Sequence, residues 1–128
     1  MKGALIAITL LGLSTPAAGQ TSPAGSSETP QQRQRVIDLA YVLGEAHALH
    51  RVCAGSGDNT WRGRMARLLQ VEAPDSAFRA RLMTSFNAGF VARNAQFATC
   101  SDKSAMAERT VAERGRGLAR GVAAEALP

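Results

Sequence analysis

The sequence is poor in aromatic residues, in cysteine and in long apolar runs, and each shortage excludes a class of protein. Only 5% of the 128 residues are aromatic, and the two cysteines form no Cys-x-x-Cys pair of the kind that redox enzymes use. No apolar run reaches the roughly 18 residues that a membrane-spanning helix needs. Glycine and proline stay below the levels of collagenous or wholly disordered chains. The composition therefore predicts one small soluble domain.

Catalytic motifs are missing as well. The chain has no Gly-x-Ser-x-Gly elbow, no His-Glu-x-x-His and no phosphate-binding glycine loop. Its carboxylates are scattered, and nothing in their order brings two of them to the separation that glycoside hydrolysis requires. We therefore expect no catalytic residue and no cofactor, and the sequence favours a non-catalytic protein.

The first residues have the pattern of a secretory signal peptide. Lys2 precedes an uncharged apolar run over Gly3–Leu13, and the small residues Ala17 and Gly19 fit the preference of signal peptidase at a cleavage site. The apolar run is too short to cross the roughly 30 Å of bilayer hydrocarbon. We expect residues 1–19 to be removed and the mature protein to be periplasmic or secreted.

The remaining chain divides into a leader and one domain. Residues 20–30 are rich in Ser, Thr, Pro and Gly, and they bury too little apolar surface to offset the entropy lost on ordering. We expect them to form a flexible leader. Over residues 31–126, apolar residues recur at helical spacing without strand-like alternation, which predicts a single all-α domain.

Breaks that contain glycine or proline divide this domain into three long helices and one short one. The first is predicted from Gln31 to about Val52, and a short second helix begins near Trp61. Pro74 precedes the third, and Ser101 suits the N-cap of the fourth. The pattern indicates a small up-down helical bundle.

All four phenylalanines are predicted to lie in the third helix. Phe78, Leu82, Phe86, Phe90 and Phe97 follow one another at spacings that return to one face of a helix. Because aromatic side chains bury the largest apolar areas, we expect the third helix to form the centre of the core.

Two cysteines remain after the signal peptide. An even number in an exported chain indicates one disulfide, here between Cys53 and Cys100. The two residues follow the first and the third helix, and a disulfide requires Cα atoms within about 7 Å. The first and third helices should therefore run parallel, which gives the bundle an up-down-up-down order.

Several residues of the domain resemble a family pattern. The pattern consists of Leu43-Gly44, His47, Leu49, Arg51, Cys53, Gly55, Trp61-Arg62, Met65, Leu68, Leu69, Glu72, Pro74, Phe86-Asn87, Gly89, Phe97 and Cys100. It resembles a small alphaproteobacterial family of exported proteins that carry a domain of unknown function. The resemblance covers Arg35 to Val122 and implies an envelope location and paired cysteines, with no assigned activity. The chain differs from the family at Phe90 and Phe97, where the family has tyrosine.

Arginines supply most of the positive charge. The formal net charge is +5, and Arg64, Arg67, Arg79 and Arg81 cluster around the second helix together with Trp61. In an exported protein such a cluster favours an anionic envelope component, such as lipid or lipopolysaccharide phosphate, or a charged envelope protein. Export and the absence of an aromatic stacking platform argue against nucleic acid. The alternative for the arginines is a solvated basic face. Trp61 is a candidate stacking surface for a sugar ring, and its alternative role is to plug the end of the bundle.

Two histidines give a second, weaker hypothesis. His47 and His50 are three residues apart and share a helix face, so they are candidate ligands of zinc or copper in an envelope enzyme or metal-binding protein. A third ligand such as Asp38 or Glu72 would have to be added by folding. The alternative, which we favour, is a buried His47 with one hydrogen bond to another helix and no metal. Asn87 is similarly expected to be a buried, hydrogen-bonded amide.

Overall fold

The computed structural model describes residues 28–127. The predicted signal peptide and residues 20–27 of the predicted leader lie outside the described residues. The described chain forms four helices, α1 (Pro30–Ala54), α2 (Thr60–Glu72), α3 (Ser76–Gln96) and α4 (Asp102–Glu125). No strand is present between residues 28 and 127, so the predicted all-α class is confirmed. None of these four helices is long and apolar enough to cross a membrane.

Three of the helices begin at residues whose side chains cap them. Thr29 accepts a hydrogen bond from the backbone of Gln32, and the Gln32 side chain accepts one from the backbone of Thr29. Asp75 accepts from the backbone N–H of Phe78 at 2.8 Å, and Ser101 accepts from Ser104 at the start of α4. These bonds satisfy N–H groups that have no partner within a helix, which fixes where α1, α3 and α4 begin. Thr29 and Pro30, predicted as leader, thus form the start of α1.

The centre of the molecule is α1. Each of the other three helices packs mainly against α1, and residues 42–49 of α1 are all buried. The expectation that α3 forms the centre is wrong. Only Phe78, Leu82, Phe86 and Gly89 of α3 are buried, because α3 packs on α1 from one side while α1 is covered from three. Phe90 is half-buried, and Phe97 lies just after the end of α3 as its C-cap.

The helix directions follow the predicted up-down-up-down order. In the contacts between α1 and α3, the residue numbers increase along both helices together, as in the pairs Ile37–Ser85, Glu45–Arg93 and Cys53–Cys100. In the contacts between α1 and α4, the residue number rises along α1 while it falls along α4, as in the pairs Arg35–Glu125, Val42–Gly115 and His50–Glu108. Therefore α3 is parallel to α1 and α4 is antiparallel to it. The end of α2 lies beside the start of α1, since Glu72 and Val36 line the same depression, so α2 is also antiparallel to α1.

The sulfur atoms of Cys53 and Cys100 lie at disulfide-bonding distance. They are 2.07 Å apart, and the two Cα atoms are 4.8 Å apart. The pair joins the end of α1 to the segment between α3 and α4. It therefore holds together the two parallel helices that the sequence predicted to meet here.

Candidate functional site

The predicted basic residues of α2 lie opposite its apolar face. Trp61, Met65 and Leu68 point into the core, whereas Arg64 and Arg67 are exposed. The Trp61 ring is only 8% exposed, and the guanidinium carbon of Arg64 lies 4.4 Å from the ring centroid. A guanidinium over an indole face is a favourable cation–π arrangement. Trp61 is therefore a core residue covered by Arg64, with no free ring face for a sugar.

An apolar groove separates α2 from α4. Both helices pack on α1, and the space left between them is a groove of about 340 Å³. Its walls and floor are mostly aliphatic. They consist of Leu39 and Leu43 of α1, Trp61, Leu68 and Val71 of α2, and Ala112, Gly115, Ala119, Val122, Ala123 and Ala126 of α4. The volume lies within the range of small-molecule binding sites. We call this the α2/α4 groove.

Arginines line the same groove from both sides. Arg64 and Arg67 contribute from α2, and Arg116 contributes from α4. Arg116 has an ion pair with Glu113 at 3.8 Å, between two exposed side chains, which competes weakly for its charge. The sequence suggested the first two residues but could not place Arg116 beside them, because the approach of α4 to α2 depends on the packing of both helices on α1.

One carboxyl group lies at the end of the α2/α4 groove that is nearest to the start of α1. Glu72 is half-buried there, and its burial raises the pKa of its carboxyl group, with a further contribution from the nearby Glu28. Burial disfavours the charged form because the groove wall replaces water. Three arginines and this one carboxyl group line the groove, so positively charged side chains predominate there.

The other two predicted arginines, Arg79 and Arg81, are exposed on α3 and do not line the α2/α4 groove. Arg79 lines a shallow depression with Arg67 along the other edge of α2. Arg81 lies in neither surface. The four arginines that were predicted to share one patch therefore do not form one. Arg64 lies on one side of α2, Arg79 beside the other, Arg67 at both, and Arg81 at neither.

His47 is buried between two aromatic rings. Its imidazole is 3% exposed, and its ring centroid is 5.8 Å from that of Phe86 and 5.4 Å from that of Phe90. Burial lowers the pKa of His47, and the charges of Arg51 and Arg62 lower it further. The burial agrees with the prediction. The predicted hydrogen bond to another helix is not formed among residues 28–127, where the buried Nδ1 of His47 has no hydrogen-bond partner.

A small cavity opens beside His47 where α1, α2 and α3 meet. It measures about 200 Å³ and is lined by His47, Arg51, Arg62, Phe86, Asn87 and Phe90. Asn87 is exposed at its rim, so the prediction of a buried amide is wrong. One residue along a helix is a rotation of about 100°, which turns Asn87 away from the core that Phe86 occupies. We call this the His47 cavity.

His50 belongs to a different cluster. Its Nδ1 lies 2.6 Å from Oε1 of Glu108 and its Nε2 lies 3.4 Å from Oδ1 of Asp58. His47 forms no contact of this kind, and the proposed third ligands lie elsewhere. Asp38 accepts a hydrogen bond from Gln34, and Glu72 lines the α2/α4 groove. Between residues 28 and 127 no group of three or more His, Cys, Asp and Glu side chains could hold a metal ion.

A buried carboxylate that the sequence did not reveal joins three helices. Glu45 of α1 is 3% exposed and forms ion pairs with Arg93 of α3, at 2.8 Å, and with Arg114 of α4. Its position in an apolar stretch of α1 gave no signal of which arginines would reach it. A buried charge with two cationic partners fixes the register of the helices that supply them.

The described residues form a small helical domain closed by a cysteine pair, with the arginine-lined α2/α4 groove and the small His47 cavity on its surface. Residues 31–125 match the family described as a protein of unknown function (DUF2385). The chain belongs to this family, which confirms the predicted domain of unknown function. Searches of curated proteins and of solved structures found no match.

Proposed function

We propose that the protein is an exported, non-catalytic binding module of the cell envelope, and that it binds an anionic lipid in the α2/α4 groove. The observation that carries the proposal is an aliphatic groove with arginines on both of its helices, Arg64 and Arg67 on one side and Arg116 on the other. This combination matches an amphiphile whose acyl chain is apolar and whose head group is negative.

The proposed envelope location has two supports. The sequence begins with the features of a secretory signal peptide, Lys2 followed by the apolar run Gly3–Leu13 and small residues at the cleavage site. The sulfur atoms of Cys53 and Cys100 are also at bonding distance, and structural disulfides persist in oxidising compartments. N-terminal sequencing of the protein from fractionated cells tests this point. We expect a periplasmic or secreted protein that begins at Gln20, and a cytoplasmic protein that still begins at Met1 would contradict it.

The energetics favour a lipid over a simple ion at this groove. Each methylene group moved from water into an apolar site contributes about 0.8 kcal/mol. Each arginine beside an anionic membrane surface adds about 1 kcal/mol, and this part weakens as salt shortens the Debye length. Binding should therefore have a salt-sensitive part from the arginines and a salt-resistant part from the groove.

Vesicle co-sedimentation tests the head-group contacts. We expect the wild type to bind vesicles that contain phosphatidylglycerol and to bind phosphatidylcholine vesicles weakly. The double variant Arg64→Glu/Arg67→Glu should lose most of the binding to the phosphatidylglycerol vesicles. The matched control is Arg109→Glu/Arg120→Glu, which makes the same change in net charge on exposed residues of α4 that do not line the groove. Equal binding by both double variants would mean that the arginines form only a solvated basic face.

A second variant tests the acyl-chain contacts. Ala119 is exposed and lines the groove, so Ala119→Trp fills it without changing the charge. We expect this variant to lose the salt-resistant part of the binding and keep the salt-sensitive part. If Ala119→Trp binds vesicles as the wild type does at high salt, no acyl chain enters the groove.

A further inference from the structure

The His47 cavity is lined by polar side chains and lies on the other side of α2 from the α2/α4 groove. Its donors come from three helices, with His47 and Arg51 on α1, Arg62 on α2 and Asn87 on α3. The rings of Phe86 and Phe90 form its apolar wall. Arg62 and Arg64 are two positions apart on α2, which turns them toward different surfaces. The cavity is therefore a separate feature of the molecule.

Within residues 28–127, the arginines of this cavity contact no anionic group. Across residues 28–127, neither Arg51 nor Arg62 forms an ion pair or a side-chain hydrogen bond. The Nε of Arg51 is buried and lacks a hydrogen-bond partner, and so does the Nδ1 of His47. A buried polar atom without a partner costs about 1–3 kcal/mol, so these two atoms, on residues that line one cavity, require an explanation.

Asp58, a carboxylate near His47, is already engaged. Asp58 is close enough to act on His47, but it accepts a hydrogen bond from the backbone N–H of Thr60 at 2.9 Å and lies 3.4 Å from His50. The part of α3 that lines the cavity adds an amide and two aromatic rings, with no charged group. The electrostatic balance inside the cavity is consequently positive.

We infer that the His47 cavity binds a phosphate-sized oxoanion, held by the guanidinium groups of Arg51 and Arg62 with hydrogen bonds from His47 and Asn87. Guanidinium groups match the geometry of phosphate oxygens and bind them with two parallel hydrogen bonds. The volume of about 200 Å³ admits a phosphate group with a short substituent and is small for a lipid chain. A metal cation is disfavoured by the two arginines. The inference does not depend on the lipid proposed for the α2/α4 groove.

Titration calorimetry with inorganic phosphate at neutral pH tests the inference. We expect saturable binding at one site by the wild type, and binding that is weaker by about tenfold or more in Arg62→Gln, because that variant loses a charged hydrogen-bond donor. Arg62 is exposed, so its replacement leaves the core intact. The control is Arg79→Gln, which removes an equal charge from a surface outside the cavity. No saturable binding, or equal affinities of the two variants, would overturn the inference.

A second pair of variants tests the amide at the rim. Asn87→Asp places a carboxylate at the cavity, while Thr84→Asp adds the same charge at another exposed position of α3. We expect Asn87→Asp to abolish phosphate binding and Thr84→Asp to retain it, with thermal unfolding close to wild type in both. Phosphate should also shift the nuclear magnetic resonance signals of the His47 ring. Retained binding by Asn87→Asp would place the anion elsewhere.

The same measurement distinguishes a free anion from a lipid head group. Glycerol 3-phosphate carries the phosphate of a phospholipid head group without acyl chains. Tighter binding of glycerol 3-phosphate than of inorganic phosphate would identify the cavity as a head-group site, and equal binding would identify a site for free phosphate. Loss of vesicle binding in Arg64→Glu/Arg67→Glu with phosphate binding unchanged would confirm that the two sites are independent.

Discussion

Gly44 of α1 lies directly against the backbone carbonyl of Phe86 in α3, so closely that a Cβ atom at Gly44 would overlap the carbonyl oxygen. Gly89 of α3 has the same relationship to the carbonyl oxygen of Tyr41 in α1. The two parallel helices thus meet through their backbones at this level. This close approach brings His47 into contact with the aromatic rings of α3, so the shape of the His47 cavity depends on it.

The first prediction concerns this crossing. Gly89→Ala should lower the free energy of unfolding by about 3 kcal/mol, because helices α1 and α3 must separate to admit the methyl group. The control is Gly63→Ala in α2, where a Cβ atom would have no neighbour within 4 Å. That substitution should be stabilising by about 0.5–1 kcal/mol, since alanine favours a helix more than glycine does. Urea unfolding measures both, and similar midpoints for the two variants would contradict the close approach.

The second prediction concerns the cysteine pair. Cys53→Ser should lower the free energy of unfolding by about 2–4 kcal/mol, because the open chain gains conformational freedom when the cross-link is lost. Cys100→Ser and the double variant should show the same loss, since each removes the same bond. Denaturant unfolding gives the values, and peptide mapping without reductant identifies the bond. Unchanged midpoints together with two alkylatable thiols in the wild type would show that Cys53 and Cys100 are not bonded.

The helices themselves were well predicted from local signals. Ser101 has the residue type of an N-cap, and it caps the helix that follows it. The centre of the core was not predictable in this way. The large phenylalanines suggested α3, but the central helix α1 is marked by small residues such as Ala40 and Ala46, which allow three helices to approach it. The volume of its residues indicates how much apolar surface a helix buries. The number of other helices that pack on that helix depends on the tertiary arrangement.

The candidate sites were predicted only in part, and the reason is again tertiary. The exposure of Arg64 and Arg67 followed from the apolar face of α2, which one helix is enough to define. The positions of Arg116 and Asn87 beside a groove and a cavity depend on which helices meet. No local pattern contains that information. The ion pairs of Glu45 likewise join residues that are far apart in the sequence.

The third prediction uses the buried carboxylate of Glu45. Arg93→Gln and Arg114→Gln each leave Glu45 with one cationic partner, whereas the double variant leaves a buried carboxylate with neither. The decrease in the free energy of unfolding of the double variant should therefore exceed the sum of the decreases in the two single variants by about 0.5 kcal/mol or more. Arg93→Gln should cost more than Arg114→Gln, because the Arg93 side chain is 25% exposed and that of Arg114 is 49% exposed. A double-mutant cycle in urea measures these terms, and strict additivity would show that the pairs act independently.

The last prediction separates a structural His47 from a metal ligand through the dependence of stability on pH. Burial and the neighbouring arginines lower the pKa of His47 in the folded state, so between that pKa and the ordinary value of 6.5 the unfolded chain binds a proton that the folded chain does not. Stability from the neutral imidazole is fully present above pH 6.5 and is lost as the pH falls through the folded-state pKa. The slope of stability against pH that this residue contributes is at most about 1.4 kcal/mol per pH unit.

The variant His47→Gln should lose this pH dependence. The control variant His50→Gln changes the cluster with Asp58 and Glu108 and should keep the pH dependence that His47 contributes. Urea unfolding across this pH range provides the test. If His47→Ala instead leaves the melting temperature unchanged and abolishes stoichiometric uptake of zinc or copper, His47 is a metal ligand.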